Sequence, residues 1–155
     1  MHPNFAKIIE TLHPSLEELL KMPPCKASAL SRKIPMSGVY LFTEKGIHLY
    51  VGRSNRLRSR IRRHGAINAG HNVATFAFKM ARQDTGKMEA SYRPEGSREN
   101  LLKDAEFAKA FDDAKARIRE MEVRYVEEPD QRNQAVLEMY VAVALNTTFN
   151  DFETH

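Results

Sequence analysis

The stretch "GVYLFTEKGIHLYVG", residues 38 to 52, decides how the rest of the chain reads. Its two short runs, "GVYLF" and "IHLYV", are rich in strand formers and flank the turn-like "TEKG", a pattern that predicts a β-hairpin. A three-residue loop Glu44-Lys45-Gly46, with Gly46 in the left-handed position such loops favour, sets the register. Thr43 then faces Ile47, Phe42 faces His48, Leu41 faces Leu49 and Tyr40 faces Tyr50. Because side chains alternate across a strand, Val39, Leu41, Leu49 and Val51 share one face and the two tyrosines are neighbours on the other.

Directly downstream, six arginines fall between residues 53 and 63. Ser54 or Asn55 can cap a helix running to about His64. Leu57 and Ile61 form its buried stripe, Arg56, Arg60 and His64 line one flank, and Arg58 and Arg62 point away. Upstream, residues 5 to 21 read as two short helices broken at Pro14, with Ser15 and Glu18 spaced as a capping box, followed by the connector "MPPCKASALSRKIP". Beyond the arginines, residues 73 to 81 have a helical period, 83 to 97 read as a loop, and 98 to 119 carry Phe107, Phe111, Ala114 and Ile118 at helical spacing. "MEVRYVEE" is a third strand ended by Pro129, and Asp130 to Leu145 form a helix apolar nearly all round, expected to be largely buried. The expected fold is a small α+β domain, with residues 1 to 34 as a helical extension over a domain at 35 to 155 and a single core overall.

The 155 residues are 42% hydrophobic and 28% charged, the composition of a folded protein and not of a disordered one. A lone cysteine, Cys25, excludes an internal disulfide framework and fits a reducing compartment. No signal-like N-terminus and no run of 18 apolar residues is present, so a cytoplasmic location without membrane insertion is expected. The net charge of +4 is modest, but its concentration in one arginine cluster makes phosphate the natural partner.

Glu138 is the only charged residue between Ala135 and Leu145. An ionised carboxylate is costly to bury alone, so this one is expected to be protonated, paired with a cation or bound to a metal. On the helical wheel it opens toward Gln131, Gln134, Ala135 and Ala142, the flank of a cleft. Taken singly, each of these residues reads as well structurally: strand tyrosines, a helix-end histidine, a solvated arginine face, a buried ion pair.

Jointly they resemble a known family. "P-x-x-G-V-Y", nine residues, then "Y-V-G-R-S-x-x-L-x-x-R-I-x-x-H", with the later "L-E-x-Y" and "A-L-x-T-x-x-N", resemble the GIY-YIG nuclease domain from about Pro35 to Asn150. Valine replaces isoleucine in both name motifs and Arg53 stands where lysine is frequent, changes that keep volume or charge. The resemblance implies a central three-stranded antiparallel sheet flanked by helices and phosphodiester cleavage, usually in DNA, that depends on one Mg²⁺ or Mn²⁺. By position it makes Tyr40 and Tyr50 the motif tyrosines, Arg60 the helix arginine, His64 the residue one turn on, Glu138 the metal ligand and Asn150 the closing asparagine. In that scheme Arg60 clamps the phosphoryl oxygens, either Tyr40 or Tyr50 is the base, favoured as phenolate by nearby cations such as Arg53, and His64 is the alternative proton carrier. Asn150 orients Glu138 or its helix end, and Arg53, Arg56 and Arg63 contact nucleic acid. Low sequence specificity or structure-directed cleavage is expected, since no base-reading segment is evident. The competing expectations are a catalytically silent nucleic-acid-binding module of the same fold, and a basic protein whose partner is another protein.

Overall fold

The computed structural model describes residues 1–87 and 98–151. Of the loop expected at 83 to 97, residues 83 to 85 instead belong to a helix ending at Thr85, and 88 to 97 lie outside the described residues. In chain order the elements are α1 (Pro3–Lys21), β1 (Cys25–Lys26), a 3-10 turn (Ala27–Ala29), β2 (Gly38–Glu44), β3 (Ile47–Ser54), α2 (Leu57–Arg63), α3 (Thr75–Thr85), α4 (Arg98–Lys103), α5 (Ala105–Glu120), β4 (Glu122–Glu127) and α6 (Gln131–Leu145). The protein is α+β, with a four-stranded antiparallel sheet in the order β1-β4-β2-β3. The fourth strand is the two-residue β1, which lies in what the sequence reads as a connector and pairs with β4 through Cys25–Val123 and Lys26–Glu122. A strand that short has no side-chain period to betray it, so only its partner defines it.

The chain forms two compact units, one of Met1–Ile61 with Met121–Asn150 and a second centred on Arg62–Glu120. In the first, Val39, Leu41, Val51 and Val126 of the sheet pack with Leu12, Leu16 and Leu19 of α1 and Leu137, Val141 and Ala142 of α6. Each such aliphatic side chain stabilises the fold by roughly 1.5–3 kcal/mol when fully buried. This explains why α1 runs unbroken through Pro14, where two helices are expected. Pro14 is exposed and forfeits one backbone hydrogen bond, but the stripe Leu12, Leu16, Leu19 has to stay on one face to reach the core. His13 Nδ1 and the Tyr140 hydroxyl, 2.7 Å apart, tie α1 to α6 at the surface.

α6 is apolar around most of its circumference yet buried on one side only: Gln134, Leu137, Val141 and Ala142 are inside, while Met139 and Val143 are exposed. Composition overstated its burial, because a single sheet covers a single stripe. Asp130 caps it, its carboxylate accepting from Asn133 N at 2.9 Å. In the second unit, Phe78 packs on Phe107 and Phe111 with ring centroids 5.0 and 6.0 Å apart. The helical stretch expected at 98 to 119 is two helices, because Asp104 stops α4 and caps α5 through a 3.0 Å bond from Glu106 N, while its side chain pairs with Lys87. Buried Lys115 donates to the carbonyls of Ile67 and Ala69 at 2.8 and 3.1 Å, which satisfies its charge without a buried carboxylate.

Candidate functional site

The hairpin turns in two residues and not three. Lys45 and Gly46 have φ of 51° and 79°, and Glu44 pairs with Ile47, the geometry of a type I′ turn whose twist suits the flanking strands. The shorter turn is offset by a bulge after Phe42: Thr43 pairs with His48, but Phe42 pairs with Tyr50, Leu41 with Val51 and Tyr40 with Gly52. Tyr40 therefore lies diagonal to Tyr50 and not opposite it. The two phenols still share a face, opposite the core face that holds Val39, Leu41 and Val51.

Gly52 is the reason for this register. The Tyr40 ring lies over it, and a Cβ at position 52 would stand 3.0 Å from Tyr40 Cε2 and closer still to Cζ and the hydroxyl. Only glycine leaves that room. Gly52→Ala is accordingly expected to cost about 1–3 kcal/mol and to displace the Tyr40 ring; thermal melts and the near-ultraviolet tyrosine spectrum check it, and an unchanged spectrum would contradict it.

Tyr40 is 1% exposed. Burial, more than any neighbour, pushes its phenol well above the ordinary tyrosine range, and the nearby Tyr50 and Glu138 add to the rise. The Arg60 guanidinium opposes it by its charge and by a hydrogen bond to the Tyr40 hydroxyl, but does not win. The expectation that cations hold this phenol as phenolate is thus corrected for Tyr40: it keeps its proton. Its folded-state value lies above an unfolded one near 10, so this contribution to stability is complete below about pH 10 and lost as pH rises beyond it. Tyr40→Phe should flatten the alkaline limb of the stability curve, as melts above about pH 9 will reveal.

Arg60 reaches Tyr40 from α2, whose stripe Leu57 and Ile61 is fully buried as its spacing predicts. Ser54 Oγ accepts from Arg56 N at 2.9 Å and so starts the helix. Arg53 and Arg56 are exposed. Arg63 is exposed as well, at the end of α2. His64 is completely buried in the second unit, its ring 6.2 Å from that of Phe76 in an edge-on contact. That placement is a core position.

Glu138 meets a cation. Its Oε2 accepts from Arg53 Nε at 3.0 Å. Burial raises its carboxyl above the usual range, and the charge and hydrogen bond of Arg53 only partly offset this. Among the described residues no group of three or more His, Cys, Asp or Glu is gathered to hold an ion. The carboxylate available here is that of Glu138. That set suits Mg²⁺, which binds through one or two carboxylates, retains waters and takes the rest of its shell from substrate phosphate.

No protein-family model, curated protein or solved structure matches the chain.

Asn150, expected to orient Glu138 or its helix end, bonds to Thr147 just past the end of α6 and to the backbone of Val51. Its Oδ1 accepts from Val51 N and its Nδ2 donates to Val51 O, both at 2.8 Å, while Thr147 Oγ1 donates to Oδ1 at 2.7 Å. Together with Phe149 N donating to Leu49 O, the side chain acts as one residue of a further strand and seals the free edge of β3 between the tyrosine and the glycine. Asn150→Ala should cost about 1–3 kcal/mol in urea unfolding, since two backbone groups lose their partner. A change within error would show that the backbone bonds of Thr148 and Phe149 hold the edge without it.

One residue of the site has no counterpart among the predicted ones. Gln134, a turn before Glu138 on α6, is 1% exposed and donates to Asn55 Oδ1 at 2.9 Å and Glu128 O at 2.8 Å. It fixes the helix carrying Glu138 against the residues that lead into the helix carrying Arg60. The available signal was a glutamine on the same wheel flank as Glu138 in an otherwise apolar helix.

Proposed function

We propose that the protein is a divalent-metal-dependent endonuclease that hydrolyses phosphodiester bonds in DNA, with low sequence specificity or directed by DNA structure. The observation that carries this reading is the meeting of residues from distant parts of the chain: Arg60 of α2 hydrogen-bonds Tyr40 of β2, Tyr50 of β3 shares the sheet face of Tyr40, and Glu138 of α6 reaches Arg53 of β3. A core has no need for an arginine, two phenols and a half-buried carboxylate at one place, whereas phosphoryl transfer needs a charge clamp, a proton acceptor and a metal ligand.

Glu138 would hold one Mg²⁺ or Mn²⁺, and the ion, when bound, supplies Lewis-acid stabilisation of charge on the phosphoryl and leaving oxygens. Arg60, planar and permanently charged, binds phosphoryl oxygens through its fork of donors while Tyr40 holds it in place. Because Tyr40 stays protonated, the base among the two phenols is Tyr50, which is only half-buried and can reach a substrate. A phenol base makes cleavage faster toward alkaline pH. Arg53, Arg56 and Arg63 add phosphate contacts that position the nucleic acid without reading its bases.

The second reading, a binding module that does not cut, is favoured by one observation: the Glu138 carboxylate already has Arg53 as its cation. Incubation of the protein with supercoiled plasmid, flap, junction and single-stranded DNA, and RNA, with Mg²⁺ or Mn²⁺ and with chelator, separates the two. Metal-dependent cleavage of a DNA is the expected result. Salt-sensitive binding with no cut product supports the second reading, and salt-insensitive failure to bind any of these overturns both.

A further inference from the structure

Resting on the reading of Glu138 as the metal carboxylate, we propose that Arg53 is an exchange partner: it holds Glu138 until a divalent cation arrives, and is thereby released to bind the phosphate that completes the cation's shell. Arg53 Nε and Glu138 Oε2 are 3.0 Å apart, so an ion binding that oxygen displaces the guanidinium by overlap and by like charge. The bond is made to be broken. Both side chains are accessible, 43% and 30% exposed, and ion pairs in such settings are weak and exchange readily.

The carboxylate nonetheless gains from a cation, because its side chain is only 30% exposed to water. Arg53 meets that need in the free protein and the metal meets it in the complex. Arginine suits both of its tasks, since one planar fork matches a carboxylate and a phosphate alike. Arg53 stands at the end of β3, three residues before exposed Arg56, so once released it joins a cationic surface that is already present. Exchange of this kind couples the two ligands: metal frees an arginine for phosphate, and phosphate that captures the arginine frees the carboxylate for metal. Metal and nucleic acid then bind far better together than apart.

The test uses Mn²⁺ alone, titrated calorimetrically into wild type, Arg53→Gln and Arg53→Lys without nucleic acid. In parallel, a fluorescent DNA duplex is titrated without metal into wild type and Glu138→Gln. Removing the competitor in Arg53→Gln should tighten Mn²⁺ binding about tenfold or more, and Arg53→Lys should fall between it and wild type. Glu138→Gln, which sets Arg53 loose, should bind the metal-free duplex several-fold more tightly than wild type. Mn²⁺ binding equal or weaker in Arg53→Gln, or duplex binding unchanged in Glu138→Gln, overturns the exchange. Cleavage by wild type alongside either negative result removes the exchange and leaves the nuclease intact, whereas absent cleavage with both positive results removes only the nuclease.

Discussion

Glu138→Gln is expected to reduce metal-dependent nicking by about 10²–10³-fold and, in the same protein, to raise the melting temperature at neutral pH. The loss of rate follows from removing the carboxylate proposed to hold the metal. The gain in stability follows from the raised carboxyl, whose first cause is burial, with Arg53 pulling the other way. A carboxyl whose folded-state pKa lies above its unfolded value near 4.3 stabilises the fold fully below that value, and this contribution is lost as pH rises through the folded-state value. Where the group is ionised it is therefore better solvated in the unfolded chain, and glutamine removes that penalty while keeping the shape. Opposite signs for rate and stability mark a group kept for chemistry. Single-turnover nicking and thermal melts on the same preparation check both, and a fall in stability would mean instead that the Arg53 ion pair is structural.

Arg60→Ala should cost a similar factor in rate, about 10²–10³, because the cation proposed to clamp the phosphoryl oxygens is lost. Arg60→Lys should recover only part of it, since an ammonium restores charge but not the two-pronged fork. Stability should fall by about 1 kcal/mol in the alanine variant, as the buried Tyr40 hydroxyl loses a donor. If lysine restores the full rate, Arg60 acts as a point charge and Tyr40 has no part in aiming it.

What could be read from the sequence was set by local pattern. The hairpin, the helix with its Leu57 and Ile61 stripe, the strand ended by Pro129 and the helix capped by Asp130 all show in spacing that neighbouring residues determine. Departures arise where distant residues decide. The register slipped because Lys45 accepts a positive φ and Leu49 bulges, both in service of seating the Tyr40 ring on Gly52. α1 continues through Pro14 because the sheet and α6 hold its leucines, and β1 exists only because β4 is beside it. The same holds at the candidate site. An anomalous Glu138 was visible in the sequence, but its partner Arg53 lies 85 residues away along the chain, and Asn150 turned out to grip the backbone of Val51.

The central claim is that Tyr40, Tyr50, Arg60 and Glu138 form one phosphodiester-cleaving site, and it is tested most directly by nicking of supercoiled plasmid with Mg²⁺ or Mn²⁺ by wild type, Glu138→Ala and Arg60→Ala, each first shown to be folded. Metal-dependent nicking by wild type, reduced by at least about 100-fold in both variants, is the predicted result. Undiminished cleavage in both variants, or no cleavage by wild type under any metal, would contradict it.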